Sequence, residues 1–140
     1  MATVMGVTYP DVYAAIGVHS GLAYGSANDV VSAFAAMRGD ADLTVHPSNA
    51  ARIVAACDRG HGDLREVVSG ISGGRSYTRT TIRNQSGSTR LEHWLIDGAG
   101  HAWSGGSPDG SFADPAGPDA SREMVRFFLT EATYPDDLSD

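Results

Sequence analysis

The sequence predicts an α/β layered domain, in which helices pack against a sheet that contains at least one buried strand. Residues 12–20, VYAAIGVHS, form a short apolar run bounded by turn residues, which is typical of a buried parallel strand. Residues 91–96 are mostly β-favouring and stop abruptly at Asp-Gly-Ala-Gly, which predicts a strand followed by a loop. Segments with apolar residues at helical spacing lie between and after these strands, an order typical of layered α/β domains.

Each element follows from its own periodicity and turn signals. The predicted elements are, in chain order, the end of a helix over 1–9 before Pro10, a strand over 12–20, a helix over 30–38, a helix from Ser48 towards Gly60, a strand over 76–84, a hairpin turn over 85–88, a strand over 91–96, an irregular segment over 107–119 and a helix opened by Pro118-Asp119. Residues 64–69, LREVVS, favour a strand only weakly. With no repeat and no linker, we expect residues 1–140 to form a single domain, with a frayed acidic tail over 131–140.

One strand is missing from this order. The acidic segment that begins at Gly39 needs a strand to precede it, yet it follows directly from the helical pattern VVSAFAAMR. No strand of five or six residues fits between them. Either residues 30–38 form a strand instead of a helix, or the sheet lacks a member at this point.

Composition excludes several classes of function. The formal net charge is −7, and the ten basic residues are all arginines, which argues against a nucleic-acid or anionic-membrane surface. The chain has no apolar run long enough to span a membrane and no basic-then-apolar start, so we expect neither a membrane span nor a signal peptide in it. The single cysteine, Cys57, cannot form an internal disulfide, and we interpret it as a buried structural thiol.

His101 is the main candidate for chemistry, because it lies on the loop that follows the predicted strand over 91–96. Open α/β sheets form their sites at the carboxyl ends of strands, which favours a catalytic base at this position. The alternative is a turn histidine that only caps its own loop. Upstream, Asp42 lies in Gly-x-x-Asp-x-x-Val on another predicted loop, where a carboxylate can orient a histidine by accepting a hydrogen bond from its Nδ1–H. The alternative for Asp42 is a turn or capping aspartate.

Long ungapped stretches of the chain resemble the polyhydroxybutyrate (PHB) depolymerase family of esterases, which includes feruloyl-esterase-like members. These stretches are TYPDVYAAIGVHSGLAYGSA, GDADLTVHPSNA and LEHWLIDGAGHAWSGGSPDGSFADPAGPDASREMVRFF. The resemblance covers about Met1 to Phe128 and is weak only across residues 58–74. It implies the C-terminal half of an α/β-hydrolase fold, with a mostly parallel sheet and helices on both faces. It also implies hydrolysis of carboxylic esters by a serine triad, in an extracellular parent protein and without a cofactor.

The resemblance assigns roles to two residues by position. Asp42 of GDADLTV matches the triad acid, and His101 of GAGHAWSGG matches the triad base. Asp40 is the rival acid, although it lacks the Gly-x-x-Asp spacing. The family's nucleophile motif, Gly-x-Ser-Ala-Gly-Gly or similar, is expected just before Met1, so the serine and the oxyanion donors are not found in this chain. We therefore expect the chain alone not to be competent for ester hydrolysis.

Gly70-Ile71-Ser72-Gly73-Gly74 satisfies Gly-x-Ser-x-Gly, but we do not interpret Ser72 as the nucleophile. A nucleophile elbow follows a buried strand and opens a helix, whereas SYTRTTIR follows here. Trp103, His19 and Ser20 are candidates for lining a substrate pocket, with loop anchoring and a backbone-satisfied strand end as the alternatives. The histidines show no His-Glu-x-x-His or paired spacing, so we expect no metal site.

Two hypotheses about function follow. The first is the C-terminal portion of a serine esterase that acts on a polyester, a hydroxyacid oligomer or an aromatic ester. The second is a non-catalytic remnant or binding module that retains a pocket for an acyl or aromatic group near Trp103. A truncated reading frame would also explain the missing motif. Because strands are missing from the sheet, we further expect uncovered apolar faces and possible self-association of the isolated chain.

Overall fold

Three antiparallel strands and two helices make up most of the chain that the computed structural model describes. The described residues are 8–9, 12, 15–17, 19, 48–57 and 63–130. The elements are α1 (Ser48–Cys57), β1 (Leu64–Ser72), β2 (Arg75–Arg83), β3 (Thr89–Ile96), β4 (Trp103–Ser104), β5 (Ala113–Asp114) and α2 (Ala120–Thr130). Strands β1, β2 and β3 form one sheet in that order, and β4 and β5 form a second, two-stranded sheet.

The turn between β1 and β2 consists of two glycines. Ser72 pairs with Arg75, so only Gly73 and Gly74 connect the strands. Their φ angles are 64° and 111°. Two-residue hairpin turns that follow the strand twist need positive φ, which glycine adopts without steric cost.

An Asn-based turn connects β2 to β3. The Asn84 amide nitrogen donates to the Ser88 carbonyl at 2.9 Å, and the Asn84 Oδ1 atom accepts from the Ser88 amide at 2.9 Å. An asparagine side chain that bonds to nearby backbone in this way stabilises a tight turn. The predicted hairpin over 85–88 and the strands on both sides of it are therefore confirmed.

The predicted mostly parallel sheet with helices on both faces is wrong for the part of the chain that is described. Strand β2 pairs antiparallel with both neighbours. The physical reason is the length of the connections, since parallel neighbours need a crossover of about a dozen residues or more. The composition of β2, RSYTRTTIR, agrees with this arrangement, because strands of buried parallel sheets are rich in Val, Ile and Leu. The only parallel pairing among the described residues is the short β4–β5 pair.

The predicted strand over 12–20 is also wrong where it is described. Val12 lies in a turn, residues 15–17 have no regular structure and His19 lies in a bend. Gly17 approaches α2 closely, since a Cβ atom added there would lie 3.1 Å from the Phe128 ring and 3.2 Å from the Met124 sulfur. At the N-terminus, Thr8 is helical and Tyr9 is not, so the helix end predicted before Pro10 is confirmed. The predicted helix over 30–38, the missing strand before Gly39 and the tail over 131–140 lie outside the described residues.

Helix α2 begins where the sequence predicts. The Asp119 Oδ1 atom accepts from the Arg122 amide at 3.0 Å, and the Asp119 carbonyl accepts from the Glu123 amide at 3.0 Å. This is N-capping by an aspartate side chain. Helix α1 begins at Ser48, also as predicted, whereas the side chain of Cys57 and residues 58–62 lie outside the described part.

The buried centre of the described part lies on β2 and is largely polar. Ile82 is 2% exposed, and Thr80 and Thr81 are 5% and 4% exposed. Several large apolar side chains elsewhere are exposed, among them Val67 and Ile71 on β1. Neither α1 nor α2 is long and apolar enough to cross a bilayer.

Candidate active site

His101 lies at the tip of a tight loop that follows β3. The Ala99 amide donates to the Ile96 carbonyl at 3.4 Å, and the Ala102 amide donates to the Gly100 carbonyl at 3.0 Å. The second bond closes a three-residue turn centred on His101, whose side chain is exposed. The histidine therefore stands after a strand, as predicted, but the strand belongs to an antiparallel sheet.

Trp103 follows the loop and is held at three points. Its backbone nitrogen donates to the Phe112 carbonyl at 2.7 Å within the β4–β5 region. Its indole Nε1 donates to the Ser121 hydroxyl on α2 at 3.1 Å. Its ring stacks on His19, with ring centroids 4.5 Å apart and planes inclined by 21°. The indole is thus fixed in orientation while 40% of Trp103 stays exposed.

His19 does more than stack on the indole ring. Its Nε2 atom accepts a hydrogen bond from the Ser104 backbone amide at 3.1 Å. Because that amide can only donate, Nε2 carries a lone pair, so the imidazole is neutral with its proton on Nδ1. Ser104 is 3% exposed, and its hydroxyl donates to the Pro118 carbonyl at 2.6 Å. His19 therefore satisfies a buried amide at the base of the site.

These side chains line an open surface cavity of about 310 Å³, which falls in the size range of small-ligand sites. Among the described residues, those that line it are His19, His101, Ala102, Trp103 and Phe112. Aromatic surfaces dominate the walls, and His101 supplies a side chain that can accept a proton. The cavity thus offers a mainly apolar surface beside one imidazole.

Three of the residues predicted from the sequence meet at this cavity, and three others belong to the part of the chain that is not described. His19, Trp103 and His101 all line it. Ser20, Asp42 and the rival acid Asp40 lie outside the described residues. Their roles in lining the pocket and orienting His101 therefore remain predictions.

Ser72 occupies a hairpin. It is the last residue of β1 and pairs with Arg75, the first residue of β2. A nucleophile elbow instead turns from a strand into a helix. Among the described residues, no group of three or more histidine, cysteine or carboxylate side chains is arranged to hold a metal ion.

Phe112, Arg75 and Asp114 are the contributors that sequence reasoning missed. Phe112 lies in the segment predicted as irregular. The only sequence signal for a role of Phe112 was that it is an aromatic residue among small and polar ones. The Arg75 Nε atom lies 2.5 Å from the Asp114 Oδ2 atom, although the two residues are 39 positions apart in the chain. Periodicity reports contacts within one element, so it carries no information about such a pair.

Comparison with known families agrees with the resemblance seen in the motifs. A family model described as Esterase PHB depolymerase matches residues 1–75, which is more than half of the chain. The matched part contains His19 and Asp42, whereas His101, Trp103 and Phe112 lie beyond it. No curated protein matches the chain. The chain belongs to the esterase PHB depolymerase family.

Proposed function

We propose that this chain provides the general base and the pocket wall of a carboxylic ester hydrolase. The supporting observation is that His101 shares one cavity with Trp103, His19 and Phe112. An ester presents a carbonyl beside an apolar acyl or alkyl group. The aromatic walls can receive the apolar group. The imidazole can accept and return a proton during attack on the carbonyl.

The proposed reaction is acyl transfer to a serine followed by hydrolysis. His101 accepts the proton of the serine hydroxyl as its oxygen attacks the ester carbonyl, and returns that proton to the leaving alcohol oxygen as the C–O bond breaks. A water molecule then attacks the carbonyl of the acyl-enzyme and gives its proton to His101, which passes it to the serine oxygen as the acyl–serine C–O bond breaks and the carboxylic acid is released. Asp42 is the proposed acid whose carboxylate accepts a hydrogen bond from the Nδ1–H of His101 and stabilises the imidazolium.

The proposed substrates are a polyester, a hydroxyacid oligomer or an aromatic ester. Trp103 and His19 are the proposed walls for the acyl group, together with Ser20. A stacked aromatic pair gives a flat apolar surface that can receive either an aromatic ring or a short alkyl chain. The cavity of about 310 Å³ is open to solvent and has room for one such group.

We further propose that the nucleophile lies outside these 140 residues. The one Gly-x-Ser-x-Gly of the chain is in the β1–β2 hairpin, which supports this part of the proposal. An enzyme that lacks a single oxyanion donor is slowed by about 10² to 10³, and loss of the nucleophile costs more. By this proposal the chain alone does not turn over esters above the level of its His101→Ala variant.

The reading frame upstream of Met1 provides the test. We expect it to encode Gly-x-Ser-Ala-Gly-Gly in frame, and a chain extended through that motif to hydrolyse p-nitrophenyl butyrate. His101→Ala should lower kcat of the extended chain by about 10⁴-fold or more. His93→Ala serves as the matched control, since His93 lies on β3 and does not line the cavity. A frame without the motif, or hydrolysis unaffected by His101→Ala, would contradict the proposal.

A binding module without catalysis is the second candidate, favoured by the exposed aromatic surface at Trp103 and Phe112, which are 40% and 79% exposed. It predicts that ferulate or a hydroxybutyrate oligomer shifts the indole N–H resonance of Trp103 and that no extended chain shows turnover. Trp94 is the internal control, because its Nε1 donates to the Glu92 Oε1 atom at 2.7 Å and lies away from the cavity-lining residues. Turnover that depends on His101 would exclude this candidate.

A further inference from the structure

Arg75 joins two parts of the chain that flank His101 in sequence. It is the first residue of β2, immediately after the glycine turn. Its Nε atom donates to the Asp114 Oδ2 atom at 2.5 Å, and its Nη1 atom donates to the Gly98 carbonyl at 2.9 Å. A guanidinium group is planar and rigid, so these two bonds fix the distance between their acceptors.

The two acceptors hold opposite ends of the His101 loop. Gly98 lies three residues before His101 and belongs to the turn that begins the loop. Asp114 lies on β5, which pairs with β4 directly after the loop, and the Asp114 carbonyl accepts from the Gly105 amide at 2.8 Å. One side chain thus connects the entry of the loop with its exit.

The Asp114 carboxylate is itself held in place. Its Oδ1 atom accepts from the Ala116 amide at 3.2 Å, and the Ala116 carbonyl in turn accepts from the Arg75 amide at 3.1 Å. The Asp114 side chain is 13% exposed and that of Arg75 is 30% exposed. An ion pair with this much burial and a second charge-assisted bond differs from a solvated surface pair, whose contribution is near zero.

We propose that Arg75 and Asp114 form a positioning pair that sets the conformation of the His101 loop and thereby aims the imidazole into the cavity. Neither residue lines the cavity, so the pair acts through the loop and not on a ligand. The catalytic meaning of this pair rests on the proposed function of His101 as a base. The effect of Arg75 and Asp114 on the conformation of the loop does not depend on whether His101 acts as a base.

The test uses the 140-residue chain and needs no turnover. Amide hydrogen exchange is measured at Ala99, Ala102 and Trp103, whose amides donate within or next to the loop, and the imidazole nitrogen chemical shifts of His101 are recorded by NMR. Arg75→Lys retains the charge but replaces the planar fork with a single ammonium group. We expect it to speed exchange at these amides about tenfold or more and to shift the His101 resonances. Arg75→Met should have a larger effect on both.

Arg90→Met is the matched control. Arg90 also forms an ion pair, with its Nη1 atom 3.3 Å from the Asp63 Oδ2 atom, but it donates to neither Gly98 nor Asp114. We expect it to leave loop exchange and the His101 resonances unchanged. Asp114→Asn should reproduce part of the Arg75→Lys effect, because the amide oxygen can still accept a hydrogen bond but carries no charge.

Two outcomes would overturn the proposal. The first is that Arg75→Lys and Arg75→Met leave the loop amides and the His101 resonances as in the parent chain. The second is that exchange rises equally in the loop and in the amides of β2, which would mean that the pair only contributes to global stability. Failure of the ester-hydrolase proposal would leave these measurements unaffected, so the two failures are distinguishable.

Discussion

At the scale of single residues, the contact between His19 and Ser104 shows how a side chain far away in the chain completes the site. The two residues are 85 positions apart, and the imidazole accepts the hydrogen bond of an amide that is almost fully buried. A buried amide that loses its acceptor costs more than the bond itself contributes, because water does not replace the acceptor.

We therefore expect His19→Ala to lower the free energy of unfolding by about 1–3 kcal/mol. His19→Gln should lower it less, because the glutamine side chain offers an oxygen that can accept the same hydrogen bond. Both variants lose the stack on Trp103. The difference between their free energies of unfolding therefore measures the contribution of the hydrogen-bond acceptor. Denaturant unfolding with tryptophan fluorescence gives the measurement. Equal destabilisation by the two variants would contradict this account.

His93 predicts a pH dependence of stability. Burial lowers the pKa of His93 below its ordinary value, and the positive charge of Arg65 lowers it further. Its Nε2 atom is buried and has no hydrogen-bond partner in the described part of the chain. The native state therefore favours the neutral imidazole.

The sign follows from proton linkage. Below about pH 6.5 the histidine binds a proton more readily in the unfolded chain than in the folded one. The contribution of His93 to stability should thus be complete above about pH 6.5 and should be lost as the pH falls from there towards its lowered pKa. Urea unfolding at several pH values checks this, with His93→Gln as the non-titrating comparison. A wild-type slope that persists unchanged in His93→Gln would refute it.

At the scale of elements, β1 illustrates a strand that its own sequence predicts only weakly. It contains Gly70, and glycine weakens a strand. The partner strand places a side chain over the glycine, because a Cβ atom added at Gly70 would lie 2.8 Å from the Tyr77 hydroxyl oxygen and 2.9–3.1 Å from its ring. Pairing with β2 and this ring contact stabilise a strand that local propensity does not.

Helix α2 is the opposite case, in which a local signal is sufficient. We expect Asp119→Ala to lower the free energy of unfolding by about 1 kcal/mol, because the Arg122 amide loses its side-chain acceptor. Asp109→Ala, at an exposed position in the preceding loop, should change it by less than about 0.5 kcal/mol. Thermal or urea unfolding compares the two. A similar loss in both variants would show that the cap contributes nothing specific.

At the scale of the whole molecule, the three-stranded sheet leaves apolar side chains in contact with solvent. The register places Val67, Ile71 and Leu95 on one face, and they are 56%, 76% and 46% exposed. Strand β1 pairs with β2 and with no further strand among the described residues. An exposed apolar strand at a sheet edge is a template for pairing with another chain.

We expect the isolated chain to self-associate through strand β1 and its exposed apolar side chains. Val67→Thr with Ile71→Thr should shift it towards the monomer, since threonine keeps a high strand propensity and removes apolar surface. Val125→Thr on α2, where Val125 is 55% exposed, is the matched control and should have little effect. Sedimentation velocity over a range of concentrations provides the measurement. A chain that is monomeric throughout, or a control with the same effect, would contradict the prediction.

The candidate site could be predicted in part from the sequence. The loop position of His101 and the nearness of Trp103 follow from a strand that ends in glycines, since both lie within a few residues of its end. The meeting of His19 with Trp103 and the connection of Arg75 to both ends of the loop do not follow. Those contacts join segments that no local pattern relates, so only the folded chain reveals them.

The sequence by itself determined some of the local elements and the family. The Asn84 turn and the Asp119 cap depend on bonds between residues three or four positions apart, and local chemistry therefore specifies them. The tertiary structure decided the direction of the strands and the composition of the cavity. Strand direction depends on which strands pair and how far apart they lie in the chain, and the cavity depends on a histidine and a tryptophan that are brought together only when the chain is folded.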